Sequence, residues 1–169
     1  SNTVWGIREF GTTGTKRITN NQIFNFSTTS GGAGTHTFHG IALNAGTTDT
    51  VSGNTIYNLV ATGTTTCTVN GISTNAGTTN HFFQNKISRI GSIGHSTPTI
   101  NGLVASAGTT NNINNNLIDS VFATASNSTN TLAGINISGG TNANVHYNTV
   151  LLNGTSTGTN YGSSALSVG

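Results

Sequence analysis

One phrase recurs along this chain and constrains its fold more than any other feature: Thr-x-Thr-apolar-x-Gly-apolar. It reads Thr35-His-Thr-Phe-His-Gly-Ile41, Thr66-Cys-Thr-Val-Asn-Gly-Ile72, Thr97-Pro-Thr-Ile-Asn-Gly-Leu103 and Thr129-Asn-Thr-Leu-Ala-Gly-Ile135. Ser1-Asn-Thr-Val-Trp-Gly-Ile7 is a fifth copy and Thr159-Asn-Tyr-Gly-Ser-Ser-Ala-Leu166 a degenerate sixth. The repeat is 31 to 34 residues long. A period in this range marks a unit that cannot bury its apolar face alone and must stack on its neighbours.

Two further columns share the period. Six residues after the phrase glycine comes a turn, Ala45-Gly-Thr-Thr-Asp49, Ala76-Gly-Thr-Thr-Asn80, Ala107-Gly-Thr-Thr-Asn111 and a looser Gly139-Gly-Thr-Asn142. Glycine followed by small polar residues is turn chemistry. Asn54, Asn85, Asn116 and Asn148 then lie 14 residues after the glycine, and Asn21 lies 15 after Gly6. Each has an apolar residue three before it and another two after it, as in Val51 and Ile56 or Phe82 and Ile87. From the asparagine to the next glycine the spacing varies between 17 and 19 residues. Constant spacing marks a fixed backbone path, and variable spacing marks loops, here at residues 27–34, 60–65, 91–96 and 122–128.

The segments between turns are four to six residues long, rich in Val, Ile, Thr and Phe, and bounded by Gly, Asn and Ser, which is strand chemistry. No stretch sustains the i, i+3, i+4, i+7 pattern of an amphipathic helix. Stacked at the ~4.8 Å strand spacing, Phe38, Val69, Ile100 and Leu132 form one apolar row. Ile41, Ile72, Leu103 and Ile135 form a second, and Ile56, Ile87, Ile118 and Val150 a third. Three rows separated by turns predict an all-β solenoid, a parallel β-helix of about five coils with three sheet faces around one core. Asn21, Asn54, Asn85, Asn116 and Asn148 are expected to form an internal ladder, each amide donating to the next, because a lone buried amide is costly and a stacked row satisfies itself.

The strings Asn20-Asn-Gln-Ile23, Gly53-Asn-Thr-Ile56 and Asn115-Asn-Leu-Ile118, each following a Gly-apolar strand, resemble the right-handed parallel β-helix repeats of the pectin-lyase-like superfamily, especially repeat regions of large secreted bacterial surface proteins. The resemblance covers essentially the whole chain and implies fold rather than activity, since that superfamily holds lyases, hydrolases, tailspikes and adhesive stalks. Its enzymes imply clustered carboxylates with a basic partner or Ca²⁺.

Composition excludes several classes. Charged residues are 5% of the chain and the formal charge is +2, too little for charge-driven disorder. Lys16, Arg17, Lys86, Arg8 and Arg89 form no basic cluster with interleaved aromatics, so no nucleic-acid partner is expected. No apolar run approaches the ~18 residues of a membrane span. Cys67 is the single cysteine and reads as a small packed side chain. The carboxylates Glu9, Asp49 and Asp119 fall at different places in the repeat, so a two-carboxylate sugar-cleaving site is not expected. His36 and His39 should point to opposite faces, while His81, His95 and His146 fall in three columns, so neither a metal site nor a cofactor is expected.

The feature with a sharp functional reading is the Thr-x-Thr column. With Phe38 and its equivalents inward, alternation points Thr37, Thr68, Thr99 and Thr131 outward, with Thr35, Thr66, Thr97 and Thr129 beside them. This candidate binding face would be a double row of methyls and hydroxyls. The reading of the whole is a single non-enzymatic domain, a structural or adhesive segment of an extracellular bacterial surface protein or filament. Its expected partners are further coils of the same protein or identical subunits stacked end to end, with surface carbohydrate along an outer face. Ice binding through the threonines and polysaccharide binding or cleavage are the alternatives.

Overall fold

A computed structural model describes residues 2–29 and 35–169. Its described residues contain strands and turns and no helix, so none long and apolar enough to cross a membrane. Sheet A stacks β1 (Asn2–Glu9), β4 (His36–Leu43), β7 (Cys67–Thr74), β10 (Thr99–Ala105), β13 (Leu132–Ile137) and β16 (Ser163–Val168). Sheet B stacks β2 (Thr15–Thr19), β5 (Thr48–Ser52), β8 (Thr79–Phe83), β11 (Thr110–Asn114) and β14 (Asn142–His146). Sheet C stacks β3 (Gln22–Thr29), β6 (Thr55–Thr62), β9 (Lys86–Ile93), β12 (Leu117–Ala123) and β15 (Thr149–Leu152). Every pairing is parallel and joins a strand to its equivalent one repeat away. The chain is therefore a β-solenoid of about five coils.

The apolar rows stack as the periodicity predicts. Phe38 pairs with Val69, Val69 with Ile100 and Ile100 with Leu132, while Ile41, Ile72, Leu103 and Ile135 form the parallel row. Ile56, Ile87 and Ile118 line sheet C in register and are 0% exposed. Val51, Phe82 and Ile113 close the third wall from sheet B.

The phrase glycine holds two walls of this core together. A methyl group built at Gly71 would lie 2.5 Å from the Gly102 carbonyl oxygen and 2.6 Å from Ile87 Cγ2; at Gly40 the distances are 2.5 Å to Gly71 O and 2.7 Å to Ile56 Cγ2. The same clash recurs at Gly6, Gly102 and Gly134 with Ile23, Ile118 and Val150. Sheet A thus needs a residue without Cβ at the spot where the isoleucine two residues after the ladder asparagine presses across the core, which links two sequence columns that look independent.

The asparagine ladder is continuous from Asn21 to Asn148. Asn54 Oδ1 accepts from Asn21 N (2.9 Å) and Nδ2 (3.0 Å), and Asn85 Oδ1 accepts from Asn54 N (3.1 Å) and Nδ2 (3.0 Å). Asn116 and Asn148 continue the pattern. Each Nδ2 also reaches back to a carbonyl of the preceding coil, Ile18 from Asn54, Val51 from Asn85, Phe82 from Asn116 and Ile113 from Asn148. One side chain thereby satisfies backbone donors and acceptors that the corner between sheets B and C would otherwise strand. The residue before each rung is left-handed, at Asn20 (φ 58), Gly53 (64), Gln84 (56), Asn115 (54) and Tyr147 (56). That conformation turns the amide inward and explains the Asn or Gly at three of the five positions.

Most strands of sheets A and C, at seven or eight residues, are longer than the four to six expected. In sheet C, Asn25, Asn58, Arg89 and Ser120 adopt left-handed φ of 50 to 60 and are skipped in the pairing. The strand bulges there and continues, so β3, β6, β9 and β12 run into segments expected to be loops. Residues 30–34 of the first expected loop lie outside the described residues.

Replacing Asn85, which is 1% exposed, by Ala strands the Asn54 backbone N–H and a carbonyl of Val51 in the dry interior, takes a donor from Asn116 Oδ1, and should lower unfolding free energy by about 3 kcal/mol. Asn148→Ala, at a rung that water reaches, should lower it by only about 1 kcal/mol. Denaturant titration of the two variants checks the difference.

Candidate functional site

The outer face of sheet A carries three of the eight threonines of the candidate binding face. Thr37, Thr68 and Thr99 stand in one register row, extended by Thr3 from the fifth copy of the phrase. The row expected beside it does not form a second grid line. Thr35, Thr66, Thr97 and Thr129 precede their strands, and two of their hydroxyls are turned to the backbone, Thr66 Oγ1 to Thr97 O (2.9 Å) and Thr97 Oγ1 to Thr65 O (3.2 Å). Thr131 corrects the outward assignment altogether. It is 1% exposed, and its hydroxyl bonds Ser126 Oγ and the Ser128 carbonyl (2.7 Å), because the segment before β13 is a residue longer than those before β7 and β10 and folds over it.

Beside the threonines runs a polar row that the repeat predicts only in part. His39, Asn70 and Asn101 are in register, as their shared place in the phrase implies. Asn101 Nδ2 donates to Asn70 Oδ1 (2.9 Å), Asn70 Nδ2 approaches His39 Nδ1 (3.4 Å), and His39 Nδ1 lies 2.8 Å from Ser73 Oγ. Ala133 breaks the column, and Asn136 reaches across from the neighbouring column to Asn101 Oδ1 (3.3 Å). Toward the last coils this face dips into a cleft of about 50 Å³ bordered by Thr99, Asn101, Asn130, Asn136 and Ser164. At the first coil it ends in an aromatic clamp, with the Arg8 guanidinium 3.9 Å from the Trp5 ring centroid and 3.3 Å from that of Phe10.

The titratable groups are distributed differently from their sequence columns. Glu9 and Asp49 share one basic neighbour, Lys16. Lys16 stands opposite Asp49 in register, and its ammonium lies 3.5 Å from Glu9 Oε1. Asp119 lies apart from both, on sheet C. Asp49 is 1% exposed, so the pair does not face a bond from two open sides as glycoside hydrolysis requires.

His36 points inward and His39 outward, as alternation predicts. His95 is buried in the loop before β10. Burial first, and then His36, hold its pKa below the ordinary histidine value. Both rings are buried, and no hydrogen-bond partner to their nitrogens is present among the described residues. His95 sits in a variable loop, where column counting carries no information. No group of three or more metal-ligating side chains occurs among the described residues. Cys67 packs at 0% exposure, and burial pushes its thiol up to about 12, so it is an inert core side chain.

Comparison of the chain with protein families, with curated proteins and with solved structures finds no match.

Two outcomes follow from this geometry. Thr131→Val should lower stability by about 1–2 kcal/mol through loss of a buried hydroxyl, while Thr99→Val on the open row should stay within ~0.5 kcal/mol; urea unfolding separates them. Burial, then Arg8, hold the His39 pKa below its ordinary value. The unfolded chain then binds the proton more readily, so this part of the stability is complete above about pH 6.5 and lost as pH falls through the folded pKa. His39→Asn, which matches Asn70 and Asn101, should reduce the slope of Tm between about pH 7 and 5.

Proposed function

We propose that the chain is a non-enzymatic solenoid segment of an extracellular bacterial surface protein or filament, with the outer face of sheet A as its adhesive surface for carbohydrate. The observation that carries this reading is the division of labour among its polar side chains. Inside, the asparagines join coil to coil. On the outer side of sheet A the row Thr3, Thr37, Thr68 and Thr99 holds hydroxyls at the coil spacing, and His39, Asn70 and Asn101 stand beside it in register, Asn70 and Asn101 only 5% exposed and bonded along the row. Fixed planar amides and hydroxyls with little charge suit the hydroxyls of a neutral sugar chain, whose recognition rests on directional hydrogen bonds.

Further coils of the same geometry, from the same protein or an identical subunit, are the proposed partners at the ends. Leu151 (52%), Leu166 (48%) and Val168 (70%) are exposed on the last coils. A hollow of about 520 Å³ lined by Ile137, Val145, Leu166 and Val168 opens there, beside strand edges that accept a parallel neighbour. The resemblance to repeat regions of pectin-lyase-like surface proteins supports the same reading. A single row of threonines, with the adjacent hydroxyls turned to the backbone, favours it over ice binding, which calls for a regular two-row grid.

Co-sedimentation with insoluble cellulose, chitin and peptidoglycan tests the proposal. The chain should bind at least one without releasing reducing sugar, and Thr37→Val, Thr68→Val and Thr99→Val together should weaken that binding about tenfold or more, or ~1.4 kcal/mol, at little change in Tm. Binding untouched by the triple variant, or release of sugar, would overturn it.

A further inference from the structure

A second buried ladder runs through sheet B, and one of its rungs is an acid. Lys16, Asp49, Asn80, Asn111 and Ala143 occupy one register column. Asp49 is 1% exposed, and Asn80 and Asn111 are 0%. Asn80 Nδ2 donates both to Asn111 Oδ1 on the next coil (2.8 Å) and to the Ala76 carbonyl four residues back (3.2 Å). Asn111 Nδ2 makes the same backward bond to Ala107 O (3.1 Å). At each rung, therefore, the amide nitrogen occupies a place faced by acceptors.

Asp49 occupies that place with oxygen. Its turn, Ala45-Gly-Thr-Thr-Asp49, differs from Ala76-Gly-Thr-Thr-Asn80 only in the last residue. By this equivalence one carboxyl oxygen faces the Ala45 carbonyl and Asn80 Oδ1. A methyl group built at Gly77 would clash with Asn80 Oδ1 and lie 3.1 Å from Asp49 Oδ2, so both oxygens sit over the same glycine. Neither Asp49 oxygen, nor Asn80 Oδ1, has a hydrogen-bond partner among the described residues. Lys16 is the nearest cation in register, yet its ammonium is held by the Gly11 and Thr13 carbonyls (2.7 and 2.8 Å) and by Glu9. Acceptors left facing one another in a dry interior lack one thing, a hydrogen between them.

We propose that Asp49 is held in the fold as a neutral carboxylic acid, its O–H donating to Asn80 Oδ1 as the first rung of this ladder, so that the joint between the second and third coils tightens on acidification. The charged groups around it agree. Burial raises the Asp49 pKa, Lys16 from β2 opposes this, and Glu9 from the end of β1 adds to it. From β8 the facing group is the uncharged Asn80, while Arg17 and His81 alternate to the outer side of the sheet. An acid whose folded pKa is raised contributes stability that is complete below the ordinary carboxylate value, about 3.9, and that is lost as pH rises through the folded pKa.

The test uses the whole chain and one isosteric change. Asp49→Asn supplies the missing N–H permanently. It should raise Tm at pH 7 by about 3 °C or more, with the gain vanishing near pH 3. Carboxyl-¹³C aspartate labelling gives a direct reading, since the chain holds only Asp49 and Asp119 and Asp49→Asn assigns the signals. The Asp49 signal should titrate above the ordinary range. A Tm gain that is absent at pH 7 or equal at both pH values, or an Asp49 signal that titrates at or below about 3.9, would overturn the proposal.

Discussion

The structure depends on a hydrogen bond that runs along the solenoid axis. A parallel coil has corners where the backbone leaves one sheet before joining the next, and there its N–H and C=O groups point at no strand. At the corner between sheets B and C the ladder asparagine takes over both roles. Its oxygen accepts two N–H groups from the coil before it, and its nitrogen reaches back to that coil's backbone. The buried amide replaces a missing piece of sheet, and the coil spacing it enforces is the spacing that every other row inherits.

That spacing leaves the core little freedom. With coils held in register, the sheet C isoleucines reach across until they meet the backbone of sheet A, and glycine becomes the residue that fits at Gly40, Gly71 and Gly102. Ladder asparagine, isoleucine and glycine are thus parts of one device repeated along the axis. Such consistency between levels lets a low-charge chain rich in Gly, Thr, Asn and Ser specify one fold.

The same logic governs the polar groups that the ladders do not absorb. Where an asparagine column is interrupted by another residue type, the stacked geometry imposes the column's hydrogen-bond pattern on it. Asp49 receives an environment made for an amide nitrogen, and Ala133 leaves a gap that Asn136 crosses a column to fill. Outside, the row of amides and hydroxyls on sheet A is ordered for the same reason: each side chain is placed by a backbone already fixed from within.

The repeat by itself determined the solenoid, its three walls, the pairing of Phe38 with Val69 and Ile100, and the rungs from Asn21 to Asn148, because a constant spacing in sequence becomes a constant position in a stacked coil. It was silent wherever spacing varied. The burial of His95 and Thr131 and the pairing of Lys16 with Glu9 all involve turns or loops of uneven length, whose path is set by what they pack against. The bulges that carry sheet C past its expected ends were hidden too, since Asn25, Asn58, Arg89 and Ser120 share a backbone conformation while only the first two share a residue type. Columns are written in the sequence; the contacts made across corners and loops were decided only in three dimensions, where packing selects among paths that the local chain leaves open.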